Sequence, residues 1–497
     1  MKTAHIALLC AVATLANGQM LPVPEGQSTS WNSSFKFSPE QVKLGQLSPG
    51  FATSLEVILN FDRTQLANGG PSQDIFYNLT EGSSNIPPHA PGQVLKVEHV
   101  TNPVSYNIPA KTALSRIIYS STNLNGTLIP ASAYVLWPYK PKQFGLHSKG
   151  EPCRAPPKAK APVVLWTHGT AGFYADAAPS THRSLFYGDI IPFTLAQAGY
   201  AVIATDYAGL GVETSWDGSF VPHQYGAREA NAGDALNALR AVRTTFSDRI
   251  TDNYVVVGHS QGGSVSWGIS EVLAKDDQQY YDVEKGHLGT LTFSPGINVL
   301  PQHPQFFLPW VGKFLSGVYP TFKLSDWLTP LGVSRTKLLT QVQGGQYFSE
   351  LLFSNATEVV NPDWNSSYYA DVFSKLANPG NRPYKGPMLI IQGTADPAAL
   401  YNITLATYDS TCKTYPGDLE LMTVPGAGHF PAMDASRQVW LKWIEDRFEG
   451  RPVESKGCVK SALESFLPVE QYQEVTQSFF QWSGAPSWFA QLPVGSY

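Results

Sequence analysis

The stretch YVVVGHSQGGSVSW, residues 254–267, runs from three valines into Gly-His-Ser-Gln-Gly and out into a second apolar segment. Tyr254 to Val257 has the length and β-branched content of a buried strand, and residues 264–275 have helical spacing. Ser260 therefore stands on a sharp strand-to-helix turn, the setting of a Gly-x-Ser-x-Gly nucleophile elbow. Gly258 and Gly262 would let neighbouring segments pass close by. The pattern alone arises by chance; its flanking strand and helix give it weight.

A serine hydroxyl is a weak nucleophile until a base takes its proton. On such a fold the acid follows the serine and the histidine comes last. IIQGTADPA places Asp396 just past an apolar strand, and VPGAGHFPAM places His429 in a glycine loop past the next strand. The expected roles are Ser260 as nucleophile, His429 as base and Asp396 as the acid that orients it. The oxyanion would be held by the Gln261 N–H and by a second N–H from HGTAG (168–172), with Thr170 the first choice and Ala171 the second. His168 and His259 read as residues that shape turns, and Asp206 in TDYAGLG as a turn residue. Nothing matches HExxH, a P-loop or GxGxxG, so neither a metal nor a nucleotide cofactor is expected.

Outward from the elbow, apolar strands at PVVLWTHG, YAVIATDYAGLG (200–211), GTLTFSPG (289–296), GPMLIIQG (386–393) and LELMTVPG (419–426) alternate with helices at about 183–198, 227–242 and 439–448. The last helix puts Trp440, Trp443, Ile444 and Phe448 on one stripe. This alternation predicts an α/β fold: a mostly parallel sheet with helices on both faces. Residues 113–138 alternate apolar and polar about Asn125-Gly126 and predict a β-hairpin, followed by a Pro- and Lys-rich solvated loop. Residues 297–385 are too long and too aromatic for a loop, and predict an inserted, mainly helical cap. Its rings, Phe306, Phe307, Trp310, Phe314, Tyr319, Phe322 and Trp327, should mostly form the cap's own core. The expected organisation is a leader at 1–18, an irregular Pro-rich extension at 19–112, the core at 113–296 and 386–450 around the cap at 297–385, and a C-terminal tail at 451–497.

With 497 residues, 43% hydrophobic and 15% charged, the chain is globular. A net charge of −5 and no basic run argue against a nucleic-acid partner. Residues 1–18 read as a secretory signal peptide cleaved near Gly18, and no later apolar run is long enough to span a bilayer. Sequons at Asn32, Asn78, Asn125, Asn355, Asn365 and Asn402 fit a secreted glycoprotein. Cys10 would leave with the leader. Of Cys153, Cys412 and Cys458, the last two flank the His429 segment and form the favoured disulfide, which leaves Cys153 free.

The stretches HGTAGFYADAAPS, ATDYAGLG, GHSQGGSVSW, IIQGTADPA and GAGHF together resemble the fungal secretory lipase family within the α/β-hydrolases, over roughly Ala113 to Gly450. The resemblance implies an α/β-hydrolase fold with a cap over the site, an ester hydrolase, and the same three roles for Ser260, Asp396 and His429. It also implies a cysteine just before Ala178-Pro179-Ser180 that pins the oxyanion loop by a disulfide; an alanine stands there instead. The expected activity is a secreted lipase or esterase acting on a small-molecule or lipid ester, with transient contact to a lipid interface and an oligomeric state left open. The alternatives are an esterase that deacylates small acetylated metabolites, a serine peptidase on the same fold, and a catalytically dead binding protein. The peptidase needs an acidic group to grip a peptide amine, which the sequence does not reveal. The dead protein usually lacks the serine or the histidine, and both are present here.

Overall fold

The computed structural model describes residues 34–79, 89–144 and 159–467. The leader, Asn32, Cys10, Cys153 and the end of the C-terminal tail lie outside the described residues. Strands β1 (Val94–Glu98), β2 (Ala113–Thr122), β3 (Leu128–Trp137), β4 (Ala161–Thr167), β5 (Ala201–Thr205), β6 (Ile250–His259), β7 (His287–Phe293), β8 (Met388–Gly393), β9 (Leu419–Val424) and β10 (Cys458–Ala462) form one sheet. Their order is β1-β2-β3-β5-β4-β6-β7-β8-β9-β10. The first three strands pair antiparallel with each other, and β3 with β5; every other pairing is parallel. The hairpin of β2 and β3 turns at Gly126, whose φ of 84° suits a residue without a side chain.

Two further helices precede the sheet, α1 (Pro39–Gly45) and α2 (Pro49–Thr64). Among the helices of the core are α3 (Pro192–Gln197), α4 (Arg228–Phe246) and α5 (Gln261–Leu273). Between β7 and β8 the cap contributes α6 (Pro304–Val318), α7 (Pro330–Val342), α8 (Gln346–Leu352) and α9 (Tyr368–Ala377); α10 (Tyr401–Thr414), α11 (Pro431–Ala435) and α12 (Arg437–Phe448) follow. Parallel strands buried on both faces need a continuous apolar run, which Tyr254 to Val257 supplies. One face packs on Leu236, Leu239 and Val242 of α4 and Ile269 of α5. The other packs on Trp440 and Ile444 of α12 and on Phe193 and Leu195 of α3. Among the described residues no helix is long and apolar enough to cross a membrane.

The structure departs from expectation in three places. The segment expected to be irregular before residue 113 holds α1, α2 and β1. Ser38 and Gln41 close a capping box at α1, and Ser48 accepts from the Phe51 N–H at α2; each cap is followed by a proline. The apolar face of α2 (Ala52, Leu55, Ile58 and Leu59) joins the cap core of Trp310, Phe314, Trp327, Phe348 and Leu352. The helix expected over 183–198 is confined to α3, because Leu185, Phe186 and Tyr187 take positive φ values of 53°, 32° and 65°. The C-terminal tail adds β10 to the sheet edge, tied back to α10 by a Cys412–Cys458 disulfide. Of the described sequons, Asn125, Asn355, Asn365 and Asn402 are exposed and Asn78 is half-buried.

Candidate active site

Ser260 sits between the end of β6 and the first residue of α5 with φ 59° and ψ −121°, a region that costs a residue with a side chain. Two backbone bonds hold it there: its N–H donates to Phe293 O at 3.0 Å, and its carbonyl accepts from Gly296 N at 2.9 Å. The glycines are a steric requirement. A Cβ on Gly258 would strike the Gly262 carbonyl and Thr167 Oγ1, and one on Gly262 would strike the carbonyls of Thr167 and His168. The start of α5 thus crosses the ends of β4 and β6 at backbone contact.

Asp396 is buried in the turn after β8, and its side chain is wholly shielded from solvent. Its Oδ1 accepts from Ala398 N at 2.9 Å and Ala399 N at 2.8 Å. Its Oδ2 accepts from Gln392 Nε2 at 3.2 Å and lies 2.8 Å from His429 Nδ1. Burial raises this carboxyl, but the His429 imidazole and the hydrogen bonds outweigh that and leave it below the usual aspartate range. The pair therefore favours the His429 tautomer that carries its proton on Nδ1, with Nε2 open. Ser260 and His429 are half-buried. Neither Ser260 Oγ nor His429 Nε2 has a hydrogen-bond partner among the described residues.

The 168–172 loop, expected to supply an oxyanion donor, comes directly alongside. A Cβ on Gly169 would lie 3.2 Å from Ser260 Cβ. Gln261 opens α5, so its N–H has no intrahelical acceptor. The N–H groups of Gln261, Thr170 and Ala171 all lack an acceptor among the described residues, so the choice between Thr170 and Ala171 stays open. Thr170 Oγ1 shares a hydrogen bond with Tyr225 OH at 2.8 Å, which anchors the loop through its side chain.

The other histidines have structural employment. His168 is buried, with Nδ1 2.7 Å from Gly169 O and Nε2 3.2 Å from Asp206 O; burial lowers it to about 4. His259 places Nε2 3.0 Å from the His429 carbonyl and Nδ1 3.3 Å from Tyr187 OH, and burial holds it neutral, well below the usual range. It thereby fixes the backbone of His429.

Asp206 is more than a turn residue. It is fully buried and receives the Ser132 hydroxyl, the Ser180 hydroxyl and the Ser180 N–H. Burial lifts its carboxyl to about 6. Tyr77 and Tyr106 bond the same Ser180. The Ala178-Pro-Ser180 segment is thus pinned by hydrogen bonds at the place where the resemblance implied a disulfide.

Sequence reasoning overlooked Tyr187, Tyr225 and Phe430, which frame the site. Tyr187 packs at a tilt against His259 (ring centroids 5.5 Å) and Phe430 (5.4 Å), and its hydroxyl occupies the space a Gly169 Cβ would need. Tyr225 meets Phe307 of the cap at 5.8 Å. Phe430 lies in the GAGHF stretch beside His429, but no motif marks Tyr187 or Tyr225; only the fold brings them to the site. The cap touches the acid loop as well, with His303 Nε2 3.1 Å from the Pro397 carbonyl.

A family model described as the alpha/beta hydrolase family matches residues 163–440. Among solved structures the chain is similar to Candida antarctica lipase A in its closed state, at 17% identity and a TM-score of 0.56 over 77% of this chain and 88% of that one. It is similar to a putative hydrolase from Legionella pneumophila at 18% identity and a TM-score of 0.55, over 71% of this chain and 93% of that one. The rice cell wall degrading esterase LipA from Xanthomonas oryzae gives 17% identity and a TM-score of 0.51, over 73% and 97%. At these identities the likeness is one of fold. No curated protein matches by sequence.

Proposed function

The chain belongs to the alpha/beta hydrolase family, and on that premise we propose that it is a secreted carboxylic ester hydrolase of the lipase and esterase kind. His429 Nε2 takes the Ser260 proton as Oγ attacks the ester carbonyl carbon. The N–H of Gln261 and that of Thr170 or Ala171 receive the oxyanion. The tetrahedral intermediate collapses, the alcohol leaves with the proton from His429, and the acyl group stays on Ser260. Water, deprotonated by His429, then attacks the acyl-enzyme and releases the acid. Asp396 holds the Nδ1–H tautomer and stabilises the imidazolium throughout.

The observation that carries this reading is the strained Ser260 elbow beside a His429–Asp396 pair at 2.8 Å. The resemblance to secretory lipases supports the ester class. The leader reading, the exposed sequons and the disulfide support secretion. Most of the cap's rings face inward: Trp310, Phe314, Phe322 and Trp327 are buried in its core, while Phe307 is half-buried against Tyr225. The apolar surface offered to a substrate is accordingly limited, and each further buried methylene would add about 0.8 kcal/mol only until the space is filled. The test is a series of p-nitrophenyl esters from acetate to palmitate beside an amino-acid p-nitroanilide, with wild type and Ser260→Ala. Ester cleavage that rises with chain length supports a lipase. A maximum at acetate supports a small-ester esterase, and cleavage of the anilide alone supports a peptidase.

A further inference from the structure

The residue before the nucleophile is a histidine with both ring nitrogens engaged. His259 is fully buried at the end of β6, with Nε2 3.0 Å from the His429 carbonyl and Nδ1 3.3 Å from Tyr187 OH. A carbonyl can only accept, so Nε2 carries the proton. A neutral imidazole has a single N–H, so Nδ1 accepts and the Tyr187 hydroxyl donates. Burial keeps the ring in that neutral form.

The two neighbours of this ring belong to different parts of the machinery. Among the described residues the His259 N–H is the one donor to the His429 carbonyl, and the two imidazoles lie 4.4 Å apart between ring centroids. Phe430 packs on both, at 5.1 Å from His259 and 5.4 Å from His429. On the other side, the Tyr187 hydroxyl fills the space beside Gly169, so it rests on the backbone of the 168–172 loop. Tyr187 is held there at a φ of 65°, which a bulky residue adopts only where its surroundings enforce it. One line of contacts therefore runs from the loop expected to supply an oxyanion donor, through Tyr187 and His259, to the loop that carries His429. It passes through the residue joined to Ser260. The neutral state of His259 matters as well, since a second charge so close would oppose each imidazolium that forms on His429.

Resting on the ester-hydrolase reading above, we propose that His259 and Tyr187 are a pair of positioning residues that fix the separation between the His429 loop and the 168–172 loop. Neither gives or takes a proton in the reaction. Tyr187 orients the His259 ring, and His259 holds the His429 backbone, so that Nε2 of the base and the oxyanion donors face one reacting carbonyl at the same time. The histidine of Gly-His-Ser thus acts on the chemistry through His429, beyond shaping the turn.

The test uses His259→Phe, which keeps a ring but loses both hydrogen bonds, His259→Gln, whose amide can still donate to the carbonyl, and Tyr187→Phe, which removes one oxygen. A base displaced by about 1 Å costs on the order of a hundredfold in rate. His259→Phe should therefore lower kcat on p-nitrophenyl butyrate by about that factor, with KM within about twofold. His259→Gln should recover about tenfold of the loss, and Tyr187→Phe should lose about three- to tenfold. The double Phe variant should lose no more than His259→Phe alone, because the two act as one unit. The rate at which diisopropyl fluorophosphate labels Ser260 reads the same placement whatever the natural substrate, and should fall in the same order. Nitrogen-15 spectra of the wild type should show His259 protonated on Nε2 alone from about pH 6 to 9. Variants that lose Tm but keep kcat and labelling rate would show a role in stability only and overturn the proposal. So would a Gln variant no better than Phe, fully multiplicative losses in the double variant, or a proton on Nδ1. If His259→Phe does not fold, Tyr187→Phe and the spectra decide by the same criteria. Ester cleavage and labelling that are both indifferent to the variants overturn the pair and leave the ester reading standing. Labelling that slows in the variants of a protein that cleaves no ester upholds the pair and removes the ester reading.

Discussion

The elbow and the cap border the same site but are held together by different means. Around Ser260 the contacts are backbone on backbone: Gly258 and Gly262 pass Thr167 and His168 where no Cβ fits. In the cap they are ring on ring and ring on aliphatic chain, with Phe322 against Trp327 at 4.9 Å, Phe307 against Trp310 at 6.0 Å, and Leu55 and Ile58 of α2 filling in from outside. A backbone crossing dictates residues one position at a time. A packed apolar cluster dictates total volume and accepts many fillings. The elbow can therefore be spelled as a motif, and the cap cannot.

Ser260→Ala separates the two regions most widely. It should lower kcat by on the order of a million-fold, while near-ultraviolet dichroism and Tm stay close to wild type. Retention of more than about a tenth of the activity would remove Ser260 as nucleophile.

Trp327→Ala tests the other side. This ring is fully buried in the cap core, and its loss should cost about 3–5 kcal/mol. Hydrogen exchange should quicken in α2 and α6 to α9, with β6 and α5 still protected. Equal loss of protection in β6 would show that cap and sheet unfold as one unit.

The double change Cys412→Ser with Cys458→Ser sharpens the comparison from the sheet edge. The two cysteines are 46 positions apart and their loop encloses His429, so the bridge should contribute about 3–4 kcal/mol by loop-closure entropy. Calorimetry with and without reductant reads it. A Tm indifferent to both the substitutions and the reductant would leave the bridge without a stabilising role.

The smallest effect is expected where α2 meets the cap. Asp62 Oδ2 is buried without a hydrogen-bond partner, 3.0 Å from where a Gly345 Cβ would stand. Burial, then the nearby Asp176, raises its carboxyl to about 8. The folded state thus holds a proton that the unfolded chain releases near pH 4. Stability should fall as pH rises from about 4 to 8. Asp62→Asn should flatten that decline and gain on the order of 1 kcal/mol at pH 8. A wild-type Tm that climbs over this interval while the variant's does not would reverse the assignment.

What the sequence made legible follows the same division. The elements that carry Ser260, Asp396 and His429 could be read because parallel strands are continuous apolar runs and the turns after them are rich in glycine. The hairpin was legible from its alternation and Gly126. Helices α1 and α2 were not, although Ser38-Pro39 and Ser48-Pro49 are capping signals, because proline density read as irregular chain. The tail strand β10 is short and half-exposed, and its apolar pattern is too weak to read. Residues 185–187 look helical by composition, and the packing of Tyr187 between His259 and Phe430 overrides it. Tyr225 carries no local signal at all, since what matters in it is a neighbour far along the chain.

The packing of α1 and α2 on the cap has a consequence for synthesis. The Arg335 guanidinium bonds the Gly45 carbonyl across 290 positions of chain. At roughly 5–20 residues per second, the ribosome delivers the first helices some tens of seconds before the surface they belong to. For that interval Leu55, Ile58 and Leu59 are a greasy stripe with nothing of their own chain to cover it. Until the cap emerges, this stripe is the part of the nascent chain most open to non-native apolar contacts, so the order of synthesis works against the first helices even though the finished fold covers them.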